Sequence, residues 1–364
     1  MDTNYTNIAN KFSLTGTVAS VEPLGEGFIN DTFIVKTKEE NAPNYILQRK
    51  NKNIFKNIPA MMENIVKVCD HIKAKVSANG GDPMREAMTV IAAKDGKFYY
   101  KDGNEDYWAV CVFIEDSISY QKADTPQLAY QGGMGIGLFQ SMMCDFKEPL
   151  EDTLPGFHNI RFRFEQWEEA LSKDLAGRKN SLSQEIAWIE SRKEQMLEFW
   201  KLVEDGTIPT RVTHNDTKIN NILFTQEGEV LCVIDLDTVL SSTCLNDFGD
   251  AIRSYTNTGL EDDSNLDNVS MDLSIFKAYT EGYLSQTSKF LTPAEIKYLA
   301  FSAKYITYEQ VLRFLMDYIN GDTYYKIKYP THNLVRTHAQ YKLLQSMEEQ
   351  YNQMCEIVNS TISL

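Results

Sequence analysis

Residues 212–224 read "VTHNDTKINNILF", apolar at both ends around His214, Asn215, Asp216, Lys218, Asn220 and Asn221. No other stretch constrains the fold of this 364-residue chain as strongly. Taking a carboxylate, an ammonium and several amides out of water without partners costs on the order of several kcal/mol each. A fold that buries the apolar ends must therefore bring hydrogen-bonding partners to the polar middle. The structural alternative is a polar turn whose Asp and Asn merely cap the backbone. The neighbouring sequence argues against it, because the hairpin-like run "VLCVIDLDTVL" sets two further carboxylates, Asp235 and Asp237, directly after an apolar strand.

The spacing has a chemical reading. His214, Asp216 and Asn221 match the H-x-D-x-x-x-x-N catalytic loop of kinases. Asp216 would orient an acceptor hydroxyl and take its proton. Lys218 would stand by the transferring phosphoryl group, and Asn221 would turn its amide oxygen to Mg²⁺. Asp235 is then the second oxygen ligand for the metal, with Asp237 as its rival. Gly25 and Gly27, in "LGEGFIN" between two strand patterns, would let backbone amides approach phosphates, although a lone G-x-G is more commonly a hairpin turn. No Walker A motif is present: Gly96-Lys97 is followed by Phe98. Where a kinase carries a lysine on its third strand, "YILQRK" offers Gln48, with Arg49 and Lys50 displaced; either Gln48 contacts phosphate or Lys218 supplies the charge, and the second is expected. No helix glutamate partner is assigned; Glu63 is a candidate. The apolar run "VCVFIED" is the expected adenine-binding hinge, with backbone groups from Phe113 to Glu115 at the base edge.

The rest of the chain divides into two parts. "GTVASVEPL", "DTFIVKT" and "YILQR" alternate as strands, "IPAMMENIVKVCDHIKAKV" has helical spacing, and "KFYYKDGNEDYWAVCVFIED" reads as two more strands. Beyond the acidic "EDSIS" the pattern turns helical. "RFEQWEEALSKDLAG" and "SQEIAWIESRKEQMLEFWKLVEDG" have helical spacing, and a last helix covers roughly 338–358. Thr292-Pro293-Ala294-Glu295 is a capping box opening another. The expected fold is α+β and bilobal. A small antiparallel-sheet lobe, residues 1–115, takes the nucleotide, and a large, mainly helical lobe, residues 116–364, carries the catalytic loop.

Composition narrows the partners. The net charge of −15, from 36 basic and 51 acidic residues, argues against nucleic acid but leaves room for a nucleotide held by local cations. The six cysteines form no CxxC pair and no zinc spacing, which fits reduced thiols. No apolar run approaches the ~20 residues of a membrane span. "MDTNYTNIANKF" lacks a signal pattern, so a cytoplasmic monomer is expected.

Through "EPLGEGFIN", "YILQRKN", "RVTHNDTKINNIL", "VIDLDTV", "DFGDAIR", "AYTEGY" and "KYPTHNLVRT", the chain resembles the aminoglycoside phosphotransferase and choline kinase superfamily. Within it, "RVTHNDTK" and "KYPTHNLVRT" are most similar to the N-acetylhexosamine 1-kinases. The resemblance implies a protein-kinase-like fold, ATP with Mg²⁺, and transfer to the anomeric hydroxyl of N-acetylglucosamine or N-acetylgalactosamine. It implies Arg313 and Tyr324 at the sugar, with Asn30 and Thr32 joining Gly25, Gly27, Gln48, Phe113 and Glu115 at ATP. It also implies that Asp247 and Asp250 of "NDFGDAIR" anchor the catalytic loop. Phe28 stands where the sugar kinases place a sugar-facing histidine, which leaves the sugar open. An amino-alcohol or aminoglycoside kinase is the near alternative. Such cationic substrates favour clustered acids, whereas Arg313 lies in the apolar "EQVLRFLMDYI". Arg313 could instead form a structural ion pair. A nucleotide-binding pseudokinase is more distant, since it would lack Asp216, Asn221 or Asp235.

Overall fold

The computed structural model describes residues 5–25 and 29–362. Glu26, Gly27 and Phe28, and the expectations resting on them, lie outside the described residues. The chain forms two compact units. One takes residues 1–118, 145–155 and 222–240; the other takes 119–144, 156–221 and 241–364.

The first unit is built on an antiparallel sheet. Strands Val18–Pro23, Asp31–Thr37, Tyr45–Lys50 and Tyr107–Val112 lie side by side in that order, and the short strands Val90–Ile91 and Tyr100–Lys101 both pair with the last. Tyr45 and Leu47 face a core with Phe33, Val35, Trp108 and Val110. Alternation along the strand leaves Ile46, Gln48 and Lys50 on the other face. Helix Ile58–Ala78 begins where Asn57 accepts the Ala60 N–H, with Pro59 in its first turn, and it buries Met61, Met62, Ile65, Val68 and Ile72. The hairpin of Ile222–Phe224 and Val230–Val233 belongs to this unit, its turn closed by Gly228 at φ 82°.

The second unit is mainly helical. The expected capping box starts helix Pro293–Ile319: Glu295 N–H donates to Thr292 Oγ1 at 3.2 Å, and Thr292 N–H donates to Glu295 Oε2 at 2.7 Å. Helices Pro126–Met143 and Leu273–Thr287 pack backbone to backbone. A Cβ on Gly133 would lie 2.2 Å from the Tyr279 carbonyl oxygen, and one on Gly282 would lie 2.0 Å from that of Tyr130. Two expected helices are each divided. The run after Ser183 forms Ser183–Glu190 and Lys193–Glu204, and at the break Arg192 turns to Glu348 through two bonds of 2.7 Å. The C-terminal run forms His332–Glu349 and Tyr351–Ile362, and at the joint Gln350 donates to the Met271 carbonyl at 2.9 Å. Long-range hydrogen bonds, invisible in local periodicity, mark both divisions. Among the described residues no helix is long and apolar enough to cross a membrane, and all six cysteines are free.

Candidate active site

Helix Cys244–Tyr255 partners the first half of the polar middle of residues 212–224. Asp247, fully buried, accepts the N–H groups of His214 at 3.0 Å and Asn215 at 2.7 Å. One turn later, Asp250 accepts the Thr217 N–H at 2.9 Å, while the Thr217 hydroxyl donates to the Asp247 carbonyl at 2.7 Å. Two carboxylates three residues apart on a helix face one way, so this helix takes the N–H groups of His214, Asn215 and Thr217 together. Burial pushes the Asp247 carboxyl up, against the loop N–H groups that favour its charge. Asp250 in turn pairs with Arg253 at 3.1 Å, and Arg253 reaches Glu261 at 2.9 Å. The loop is thus held in place by Asp247 and Asp250 of "NDFGDAIR".

Held this way, the loop presents Asp216 partly exposed. Lys218 Nζ lies 3.0 Å from Asp216 Oδ1, and Asn221 Nδ2 donates to Asp216 Oδ2 at 3.1 Å and to its carbonyl at 2.8 Å. Burial acts to raise the Asp216 carboxyl. Lys218, with His214 and the Asn221 amide, outweighs it and holds the group below the usual aspartate range. The same pairing, first among its causes, raises Lys218. The pairing thus favours the charged form of both groups. With its Nδ2 engaged by Asp216, Asn221 has its Oδ1 to offer a hard cation.

In the first unit the third strand carries its cation after all. Lys50 is 4% exposed, and its Nζ lies 2.7 and 2.9 Å from the two oxygens of Asp237 and 2.6 Å from Gln48 Oε1. Asn30 Nδ2 donates to Asp237 Oδ2 at 2.7 Å, and Gln48 Nε2 reaches Thr32 Oγ1 at 3.4 Å. Gln48 therefore bonds a lysine on its own face, Lys50, which the sequence reading sets aside as displaced. Lys50, two residues on, shares the face of Gln48. Its carboxylate partner is Asp237; Glu63 lies on the exposed face of its helix. Asp237 is committed to Lys50 and Asn30, whereas Asp235 follows the strand in the left-handed region at φ 61°, ψ 58°. For a non-glycine residue that conformation costs roughly 1–3 kcal/mol and is concentrated at functional sites. Burial pushes the Cys111 thiol up to about 11.

Gly25 is left-handed at φ 67° with open space where a Cβ would stand. After strand Tyr107–Val112, the Phe113 N–H donates to the Asn44 carbonyl at 2.9 Å, Arg85 donates to the Glu115 carbonyl at 3.2 Å, and Asn44 Nδ2 donates to Glu115 Oε1 at 2.8 Å. The Phe113 carbonyl and the Glu115 N–H take no part in these bonds. They are one acceptor and one donor, the pattern an adenine edge requires.

Arg313 and Tyr324 meet in the second unit, in a cavity of about 370 Å³ also lined by Arg163, Gln166, Asp317 and Tyr325. Among the described residues no carboxylate lies within ion-pair distance of Arg313, although its charge and that of the buried Glu309 favour one another. Its guanidinium sits 5.5–5.9 Å from the ring centres of Phe157, Tyr324 and Tyr325, with two long contacts, 3.4 Å to Gln310 Oε1 and 3.5 Å to the Tyr324 hydroxyl. Asp317 accepts the N–H groups of Thr323, Tyr324 and Tyr325 and the amide of Asn333, all within 3.0 Å, and so shapes the wall that carries Tyr324. Asn333 belongs to "KYPTHNLVRT", which gives that segment its structural task. Sequence reasoning missed Lys50, although alternation from Gln48 could have found it. It also missed His158, Glu309 and Arg163, for which no local signal exists.

Among the described residues no group of three or more His, Cys, Asp and Glu side chains gathers to hold a metal. Asn221 and Asp235 each carry a side-chain oxygen of the kind a hard cation takes.

Residues 20–266 match the phosphotransferase enzyme family, APH, and the chain belongs to that family. Among solved structures it is similar to a microcompartment-associated aminopropanol kinase, at 16% identity and a TM-score of 0.65, over 96% of this chain and 98% of that one. It is also similar to an aminoglycoside phosphotransferase from Alicyclobacillus acidocaldarius subsp. acidocaldarius DSM 446, at 12% identity and a TM-score of 0.58, over 98% and 96% of the two chains. A choline kinase from Cryptosporidium parvum Iowa II matches at 15% identity and a TM-score of 0.51, over 95% and 93%. The fold is the protein-kinase-like one expected, with an antiparallel-sheet N-terminal region and a helical C-terminal region.

Proposed function

We propose that this protein is an ATP- and Mg²⁺-dependent kinase that phosphorylates the anomeric hydroxyl of an N-acetylhexosamine. Asp216 accepts the proton of the hydroxyl, and Lys218 stabilises the charge of the phosphoryl group. The Phe113 carbonyl and the Glu115 N–H take the adenine edge, and Lys50 is the cation for the nucleotide phosphates. Asn221 and Asp235 would hold Mg²⁺, which, when bound, neutralises the charge developing on the phosphate oxygens. The observation that carries the choice of acceptor is the guanidinium of Arg313, boxed by aromatic rings and, among the described residues, without a carboxylate at ion-pair distance. Such a group donates to hydroxyl and carbonyl oxygens and repels a cation. The nearby carboxylates are engaged: Asp317 by backbone N–H groups, Glu309 by His158 and Arg163, and Glu169 by Lys173. Among neutral polyols, the N-acetylhexosamine is favoured by the resemblance of "RVTHNDTK" and "KYPTHNLVRT". The aminopropanol kinase likeness supports the second reading, an amino-alcohol acceptor, which would require one of those carboxylates to exchange its partner.

The test is ADP release with Mg·ATP over a panel of N-acetylglucosamine, N-acetylgalactosamine, an amino alcohol and an aminoglycoside, for the wild type, Arg313→Met and Tyr324→Phe. The N-acetylhexosamines should be phosphorylated, and each variant should lose roughly ten- to a hundred-fold in kcat/KM for the acceptor with ATP KM unchanged. Preference for the cationic acceptors, or an acceptor KM that stays put in both variants, would overturn the reading.

A further inference from the structure

A buried chain of charged groups runs from the wall of the Arg313 cavity to the catalytic loop. Arg163, which lines the cavity, donates through Nε to Glu309 Oε1 at 3.0 Å. The other oxygen of Glu309 lies 2.6 Å from His158 Nδ1, and His158 Nε2 lies 3.3 Å from the carbonyl of Asn215, the residue before Asp216. Glu309 is 1% exposed and His158 is 5% exposed. The atoms facing the imidazole, a carboxylate and a carbonyl, are both acceptors, and the ring spans the gap between them. Burial acts to raise the Glu309 carboxyl. His158, Arg163 and Arg313 outweigh it and hold the group far below the usual glutamate range. Both ends of the bridge carry backbone strain: His158 has φ 55° and Asn215 has φ 65°, left-handed values that L side chains seldom adopt. Tyr305 fixes the His158 backbone, its hydroxyl donating to the His158 carbonyl at 2.7 Å. Asp247 holds the loop by its N–H groups; His158 holds it by the opposite, carbonyl side.

We propose that His158, backed by Glu309, is a positioning residue that sets the carbonyl side of the catalytic loop and thereby the placement of Asp216. The proposal rests on the assignment of proton acceptance to Asp216, and the experiment separates the two. His158→Phe, His158→Gln, Glu309→Gln and Asp216→Asn are compared with the wild type. The assays are Mg·ATP hydrolysis without acceptor and phosphorylation of N-acetylglucosamine, with melting temperatures alongside. His158→Phe should lower kcat about tenfold or more with ATP KM within twofold. His158→Gln, which still offers an N–H to the Asn215 carbonyl, should recover part of that loss. Glu309→Gln should resemble the phenylalanine variant in kcat. A merely structural role would lower the melting temperature and leave kcat of the folded fraction unchanged. If Asp216→Asn is inactive and His158→Phe keeps kcat within twofold of wild type, this inference falls and the assignment of Asp216 survives. If Asp216→Asn itself stays active, the catalytic assignment falls first.

Discussion

Asp216 shows how one side chain acquires a role from its neighbours. Lys218 and Asn221 engage its two oxygens and keep it ionised, while partial exposure leaves it open to an acceptor. Replacing it with asparagine keeps the shape and removes the carboxylate. Asp216→Asn is expected to lower kcat by about 10²–10⁴-fold while ATP binding, followed by isothermal titration, stays close to wild type. Retention of more than half the wild-type kcat would refute its role. Lys50 teaches the complementary point. Its charge is matched by Asp237, which is 187 positions away in the chain, so its importance is a property of the sheet and hairpin together.

Among the elements, helix Pro126–Met143 depends most on its context. Its Gly132, Gly133, Gly135 and Gly137 are poor helix formers, and on an exposed helix Gly→Ala would stabilise by as much as about 1 kcal/mol. Here the sign reverses. A methyl at Gly133 would press 2.2 Å from a backbone oxygen of Tyr279, and backbone cannot yield as a flexible side chain can. Gly133→Ala is therefore expected to destabilise by about 1–3 kcal/mol, the usual range for overpacking, measured by urea denaturation. A gain in stability would show that the two helices can separate without penalty. Gly133 and Gly137, which weaken the helical signal in the sequence, are the ones whose missing side chains let the backbone of the second helix approach.

At the scale of the whole molecule, the buried carboxylates set the response to acid. Glu309 has its folded-state pKa depressed, with burial opposed by His158, Arg163 and Arg313; Glu295 is depressed too, with burial opposed mainly by Arg211. A depressed carboxyl contributes stability that is present above its unfolded value, about 4.3, and is lost as pH falls below it toward the folded value. Asp247, raised by burial, works in the opposite sense: its contribution is present below its unfolded value, about 3.9, and is lost as pH rises through its folded value. The difference in melting temperature between wild type and Glu309→Gln should therefore be largest near neutrality and shrink between about pH 5 and pH 3. A difference independent of pH across that window would show that Glu309 owes its effect to packing and not to charge.

The cluster of Asp216, Lys218 and Asn221 was legible from residues 212–224 because it is local: the three are near in sequence and therefore near in space. So were the capping box of Thr292 and Glu295, and the strands whose alternation comes from the pleat of the backbone. The amino-acid order alone also determined that a polar loop inside an apolar run needs partners. Which partners it has, only the tertiary structure decided. Lys50 with Asp237, His158 with Glu309, and the ring-lined seat of Arg313 bring together residues from distant parts of the chain. No periodicity records such pairings, because a charge buried by folding takes whichever opposite group the packed elements place against it.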